Sequence, residues 1–380
     1  MAIKKGRPCY TLTGPSPSAP SQAPHLKARQ ANRSDPKAEP GQAGKEKNKR
    51  IRMNASLHYL LRSGKNSKLR YYAGAVCREM IPDAFRRKSL VREFETCRAL
   101  YDEAYVADRV DYYCKLSEPT PLAATATPLS QFRKRGNSSA YYFDSREIVS
   151  WFPADLCWSY LFGDVRDIPP APTIVKSRSL VDNNANAVLL KLNKNRHFVF
   201  VDDRIPFEDK EDRAIFRGQV GTRENRIRFV RQFASHPRVD AANTLASGGL
   251  LADNPDGNAI ASRLSLYDHL HYRYIMALEG NDVASNLKWV MSSNSLAVMP
   301  KPTCETWFME GRLQAGVHYV EVRPDFADLV EKMDYYSSHP EAAQAILSAA
   351  QSYVSQFRDS RRERYIGLRV MQKYFRQTNR

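Results

Sequence analysis

The sequence lacks most signatures that assign an enzyme at sight. It has no G-x-x-x-x-G-K-[ST] loop, no G-x-S-x-G elbow and no H-E-x-x-H pair. P-loop ATP hydrolysis, ester hydrolysis by that serine arrangement and zinc proteolysis all lose ground. No helix-turn-helix or RNA-recognition signature is present either. Cysteine is sparse: six residues, at 9, 77, 97, 114, 157 and 304, irregularly spaced and without a C-x-x-C pair. That spacing argues against a metal cluster and a disulfide framework, and it reads as reduced thiols in a reducing compartment. No apolar run approaches the roughly 18 residues of a membrane span. No signal-type apolar stretch follows Lys4, Lys5 and Arg7. There is no internal repeat. The expectation is a cytoplasmic protein, soluble or peripheral at the inner face of the membrane.

What the chain does have is positive charge and apolar mass. Lysine and arginine number 58 against 41 acids, a net charge of +17. Residues 1–50 carry eleven of the basic residues and three acids, among Pro, Ser, Ala and Gln. Such a composition cannot bury enough surface to offset ordering entropy, so a disordered basic tail is expected over 1–50. Its Lys45–Arg52 cluster can touch anionic headgroups at about 1 kcal/mol per basic residue. A solubilising tail with no partner has the same composition. The remaining chain, within an overall 42% hydrophobic and 11% aromatic content, suits two α/β domains.

Periodicity predicts helices at Ser56–Arg62 and Ala73–Ile81, and two across Arg87–Leu116. Ser117–Pro128 reads as a loop. Ala140–Phe143, Val149–Trp151 and Thr173–Lys176 read as short strands, and Val188–Leu192 and His197–Val201 as apolar runs. Asp167 sits among charged neighbours and prolines, so it is expected on an exposed loop. The run Ala214–Phe216 stops at Arg217-Gly218. Glycine there permits close backbone approach, and the arginine suits a phosphate. A surface ion-pair arginine leaves the same trace. Arg226–Phe233 is a basic helix.

The chain is organised around Tyr272–Pro300. Tyr274–Leu278 is strand-like, Glu279-Gly280 ends it, and Asn281 or Asp282 can cap a helix through Met291. Leu296–Met299 is a second strand. A strand, glycine turn, helix and strand make half of a nucleotide-binding sheet. The helix start offers N–H groups to a phosphate, with Lys288 near that end. An ordinary crossover unit with no ligand has the same pattern. Pro302–Gly311 reads as a loop carrying Glu305 and Glu310. Val317–Val322 reads as a strand, and Phe326–Tyr336, Glu341–Phe357 and Arg361–Phe375 as helices. His269 and His271 alternate, as on a strand, but lack a third and fourth metal ligand; a structural pair is the plainer reading.

Three segments resemble the capsule-associated family of glycosyltransferases, glycosyltransferase family 90. They are Asp164–Pro169 (DVRDIP), Phe216–Gly218 (FRG) and Asp268–Tyr336, above all GNDVASNLKWVMSSNSL, PKPTCETWFMEGRL and VHYVEVRPDFADL. They are most similar to the lipopolysaccharide branch. The resemblance implies an α/β protein of GT-B architecture, two Rossmann-like domains facing across a cleft. It places an acceptor-side domain at 51–200, with helix 361–380 packing back on it, and a UDP-sugar domain at 201–360. It implies inverting hexose transfer without metal or other cofactor, from a UDP-hexose to a glycan or lipopolysaccharide-type acceptor. Asp167 matches the family's general base, and Arg217 the arginine that meets the donor diphosphate. Gly218, Arg223, Gly280, Ala284, Ser285, Asn286 and Lys288 fall at the donor site, and Glu305 and Glu310 are assigned to the ribose. The eukaryotic enzymes carry an arginine where this chain has Asn286, so Arg223 or the turn's N–H groups would supply the missing charge. The alternative is a basic α/β protein that binds nucleic acid or another polyanion without catalysis.

Overall fold

The computed structural model describes residues 64–134, 136, 139–244 and 261–379. The basic tail and the helix expected at Ser56–Arg62 lie outside the described residues.

The first part of the described chain holds four helices: α1 (Lys68–Glu79), α2 (Asp83–Leu100), α3 (Glu103–Tyr113) and α4 (Ser139–Val149). Their starts follow local chemistry. The Ser67 hydroxyl accepts the Arg70 N–H at 3.2 Å, and the Asp102 carboxylate accepts the Ala104 N–H at 2.9 Å. Each satisfies a donor that a first helical turn leaves unpaired. Helix α4 corrects the two strands read at Ala140–Phe143 and Val149–Trp151. Asp144, Ser145, Ile148 and Val149 are its buried residues, at helical spacing. Asp144 also accepts a hydrogen bond from the Tyr71 hydroxyl of α1 at 2.7 Å. Packing overrides the strand propensity of Tyr-Tyr-Phe.

Short strands lie before and after α4. β1 (Thr127–Pro128) pairs antiparallel with β2 (Cys157–Trp158). β3 (Tyr160–Leu161), β4 (Thr173–Val175) and, after β5 (Ser177–Ser179), β6 (Ala187–Leu189) form a parallel sheet in the order β3-β4-β6. The run read at His197–Val201 is instead the end of a one-turn helix, α5 (Lys194–His197), followed by irregular chain.

The second half alternates strands and helices: β7 (Glu211–Gly218), α6 (Glu224–Phe233), β8 (Val239–Asn243), α7 (Leu266–His269), β9 (Tyr272–Met276), α8 (Leu287–Val290), β10 (Leu296–Met299), β11 (Cys304–Thr306) and β12 (Val320–Glu321). Three helices close the chain: α9 (Leu329–Ser338), α10 (Pro340–Ser355) and α11 (Ser360–Thr378). β11 pairs antiparallel with β5, so Pro302–Gly311 is not a plain loop. His269 ends α7 and His271 lies outside β9, so the pair does not share a strand. His269 is a satisfied core residue, its Nδ1 2.7 Å from the Ser265 carbonyl.

The other strands form a five-stranded parallel sheet in the order β12-β10-β9-β7-β8. The runs Ala214–Phe216, Tyr274–Met276 and Leu296–Met299 within it are apolar because both faces are covered there. Alternate residues serve different cores, as the two-residue period requires. Phe216, Tyr274, Met276 and Val298 pack under α6, α9 and α10. Ile215, Ile275, Ala297 and Met299 face the other way, into a core shared with α3, α4 and α11. That shared core is pinned by Glu363 of α11. It takes hydrogen bonds from Arg109 and Lys191 at 2.9 Å each and from the Trp307 indole at 2.6 Å. Trp307 stacks on Tyr113 with ring centroids 3.8 Å apart. The final helix thus packs back on α2, α3 and α4.

The order of the sheet locates a crevice. From β7 the chain steps outward to β8, then returns to β9 on the other side of β7. Loops leaving the carboxyl ends of β7 and β9 diverge there, and such a switch point leaves room for a ligand.

Candidate active site

A cavity of about 510 Å³ opens at those carboxyl ends. Its lining comes from the segments after β7 (Arg223, Asn225), after β9 (Ala277, Glu279 to Asn281) and after β10 (Lys301 to Cys304). The inner wall is apolar, from Ala277, Val283, Ala284, Leu287 and Met299, and the polar groups include Arg166, Arg223, Glu279 and Lys301.

Two arginines on or near α6 shape the crevice. Arg226 donates to the carbonyls of Gln219 and Leu278 at 2.8 Å each and of Glu279 at 3.0 Å. It thereby ties the exits of β7 and β9 together. Burial pushes its guanidinium down to about 10, with Arg223 and Arg196 adding to the effect. Gly280 passes so close that a Cβ there would lie 3.1 Å from Arg226 Nη2. Arg223 spans the mouth, donating to the Val220 carbonyl at 3.2 Å and to Asn281 Oδ1 at 2.8 Å. Gly221 makes the turn before it at φ +57°, in the left-handed region that glycine enters without steric cost.

The Asp164–Pro169 turn is bound to this mouth from the other half of the chain. Asn281 Nδ2 donates to Asp164 at 3.1 Å. Lys176, buried, pairs with Asp164 at 2.5 Å and Asp282 at 2.6 Å. Desolvation would raise the Asp164 carboxyl, but Lys176 and the Asn281 amide outweigh it and hold it below the ordinary carboxylate value. Arg166 lines the cavity, donates to Thr303 Oγ1 at 2.7 Å and lies 3.5 Å from Glu279. Glu279 in turn accepts the Thr303 N–H at 2.8 Å. Asp167 follows Arg166 directly and is exposed, as the sequence implies for that turn.

The structure distributes the remaining expected site residues unevenly. Gly280, Ala284, Arg223 and Glu310 line the cavity. Arg217 and Gly218 do not. The Arg217 side chain is largely buried and pairs with Asp240, and it donates to the Asp240 carbonyl at 3.1 Å. The helix expected from Asn281 is only the single turn α8. Asp282 is drawn to Lys176, and Asn286 donates to the Met276 carbonyl at 2.9 Å, so polar side chains replace the first helical turns. Ser285 lies in this turn, half-buried. Lys288 is fully buried and pairs with Glu310 at 2.5 Å, while Glu310 also accepts the Thr306 N–H at 2.6 Å. Its charge is matched inside the protein. Glu305 is buried too, paired with Arg178 at 2.7 Å and bonded by the Tyr112 hydroxyl. It lies in the core and outside the cavity's lining.

Read from sequence alone, three residues take no site role. Arg226 and Glu279 left no signal beyond being charged residues near glycines. His197 sat within an apolar run. It is buried, with neither ring nitrogen hydrogen-bonded among the described residues. Burial, with Lys288, Lys176 and Arg196 nearby, holds it well below its ordinary value and therefore neutral. No group of three or more His, Cys, Asp or Glu among the described residues could hold a metal.

The arrangement sets an apolar slot beside a rim that carries Arg166, Arg223, Lys301 and Glu279. Comparison with known proteins gives that slot a context. Residues 190–376 match the model of glycosyl transferase family 90. The chain is 43% identical over 310 residues to the O-glucosyltransferase LpsA of Dichelobacter nodosus, covering 81% of this chain and 95% of that one. Protein O-glucosyltransferase 2 of Danio rerio is 26% identical over 197 residues, or 50% of this chain and 36% of its own. Human protein O-glucosyltransferase 3 is 25% identical over 167 residues, or 44% of this chain and 32% of its own. The bacterial match spans nearly all of its relative, and the family model takes in β7 to α11 with every strand that borders the cavity, so the chain belongs to glycosyltransferase family 90 and is a glycosyltransferase.

Proposed function

We propose that the protein transfers a hexose from a UDP-sugar to a hydroxyl of a lipopolysaccharide core or similar glycan, with inversion and without a metal. The observation that carries this reading is the cavity at the sheet's switch point. Its apolar wall suits a uracil ring, and Arg223, Arg166 and Lys301 suit a diphosphate. In a GT-B arrangement the five-stranded sheet carries the donor, and the half containing β3, β4 and β6 presents the acceptor. The match to a bacterial O-glucosyltransferase supports glucose as the hexose.

Inverting transfer is a single displacement. The acceptor oxygen attacks the anomeric carbon while the bond to the UDP oxygen breaks, and a carboxylate takes the acceptor proton. Asp167 is that carboxylate in our reading. It follows Arg166, which lines the cavity, on a turn fixed by Asp164, Ser179 and Thr303. The negative charge growing on the leaving diphosphate is met by Arg223, Arg166 and Lys301 in place of a metal. Arg217 and Lys288 act behind the site, since Asp240 and Glu310 already match them.

Thermal-shift titration separates this reading from polyanion binding. UDP should raise the melting temperature saturably, reaching about 2.7 kcal/mol of stabilisation at a hundredfold excess over its Kd. Heparin should give a small shift that salt abolishes. Stabilisation by heparin with a steep salt dependence, and none by UDP, would favour the polyanion alternative.

A further inference from the structure

Helix α1 exposes an apolar stripe that nothing in the catalytic account uses. Leu69, Ala73, Val76, Cys77 and Met80 are all exposed and recur at helical spacing, within about 100° of the helix circumference. Leu69 is 82% exposed, Val76 53% and Met80 78%. The chain continues through Ile81, 48% exposed, to Phe85 in the first turn of α2, 66% exposed. These are five of the twelve most exposed large hydrophobic residues of the described chain. The opposite face of α1 accounts for the helix's attachment. Tyr71 bonds Asp144, Tyr72 meets Phe143 edge-on, and Arg78 pairs with Glu147, all on α4. The stripe takes no part in these contacts with α4.

The unmatched charges around it are of one sign. Lys68 and Arg70 flank Leu69 on either side of the stripe, about 100° away in each direction. Arg87 and Lys88 follow Phe85 on α2. None of these four has an ion pair among the described residues, whereas the nearby acids Glu79 and Asp83 are both taken by Arg146. Apolar side chains edged by unmatched long cations are the makeup of a helix lying in a membrane interface. The cations reach headgroups while the stripe enters the acyl boundary. A protein partner of that chemistry would need a groove with an acidic rim, whereas an anionic bilayer meets both features with one surface. No helix of the described chain is long and apolar enough to cross a membrane, so this contact is peripheral.

We propose that α1 and the start of α2 dock the enzyme on an anionic lipid bilayer through Leu69, Val76, Met80 and Phe85, with Lys68, Arg70, Arg87 and Lys88 as headgroup contacts. This stands apart from the donor-site reading, and it differs from attraction by the basic tail.

Co-sedimentation of the full chain with vesicles tests it. One set holds phosphatidylglycerol in phosphatidylcholine and the other phosphatidylcholine alone. Wild type should partition to the anionic vesicles. Leu69→Ser/Val76→Ser/Met80→Ser should weaken that partition at least about tenfold. Lys68→Glu/Arg70→Glu/Lys88→Glu should weaken it comparably. Both variants should keep the wild-type melting temperature, because the exchanged side chains are exposed. Three outcomes would overturn the proposal. The first is no sedimentation of wild type with either vesicle. The second is a serine variant that binds like wild type, which would assign the contact to the tail. The third is a dimer, seen by light scattering, that the serine variant converts to monomer without any vesicle binding, which would make a second copy the occupant.

Discussion

Asp167→Asn is expected to fold normally, to bind UDP normally, and to lose transfer by about 10²–10⁴. The amide keeps the shape of the carboxylate but cannot accept the acceptor's proton. Fold and donor affinity should survive because Asp167 is exposed, and the turn is held by its neighbours: Asp164 by Lys176 and Asn281, Arg166 by Thr303. A turn aspartate with a purely local role would leave transfer within a fewfold of wild type. The measurement is initial-rate transfer to a lipopolysaccharide-core acceptor at saturating UDP-glucose, beside a UDP titration. Wild-type transfer by Asp167→Asn would move the base to another carboxylate. Asp164 would be examined next, although its engagement with Lys176 makes it the poorer proton acceptor.

Lys288→Met should cost about 3–5 kcal/mol of stability, since it leaves Glu310 buried without its cation. A fall in melting temperature on the order of 10 °C would follow. The double variant Lys288→Met/Glu310→Leu should regain much of that loss, because two apolar side chains replace the pair. If Lys288 were a phosphate ligand held for the donor, the single variant would melt near wild type and show its defect only in UDP affinity. Calorimetry of the three proteins without ligand distinguishes the cases.

That contrast marks where the sequence was informative. Apolar runs buried on both faces identify themselves, and Leu296–Met299 and Thr173–Val175 stand where their patterns placed them. The long amphipathic helices after Pro340 and Asp359 were equally legible, because one stripe of each faces the core. Charged residues were not. Lys288, Glu305 and Arg217 read as site residues by position, yet each has found a counter-charge across the fold, in Glu310, Arg178 and Asp240. Those partners lie 22, 127 and 23 residues away, beyond any local pattern. The helix expected after Gly280 failed for the same reason. Asp282 answers to Lys176, more than a hundred positions earlier, rather than to its own backbone. What local pattern did locate was the unit around Gly280, since a strand ending in a glycine turn forms a crevice in any parallel sheet.

The central claim is that a nucleotide diphosphate sits at the switch point, under Arg223. Isothermal titration of UDP into wild type and Arg223→Ala tests it most directly. Wild type should bind one UDP per chain. Arg223→Ala should lose roughly 1.5–3 kcal/mol of binding, the contribution of a charge-assisted hydrogen bond, while melting near wild type. Equal UDP affinity in the two proteins, or no UDP binding by wild type, would contradict the account.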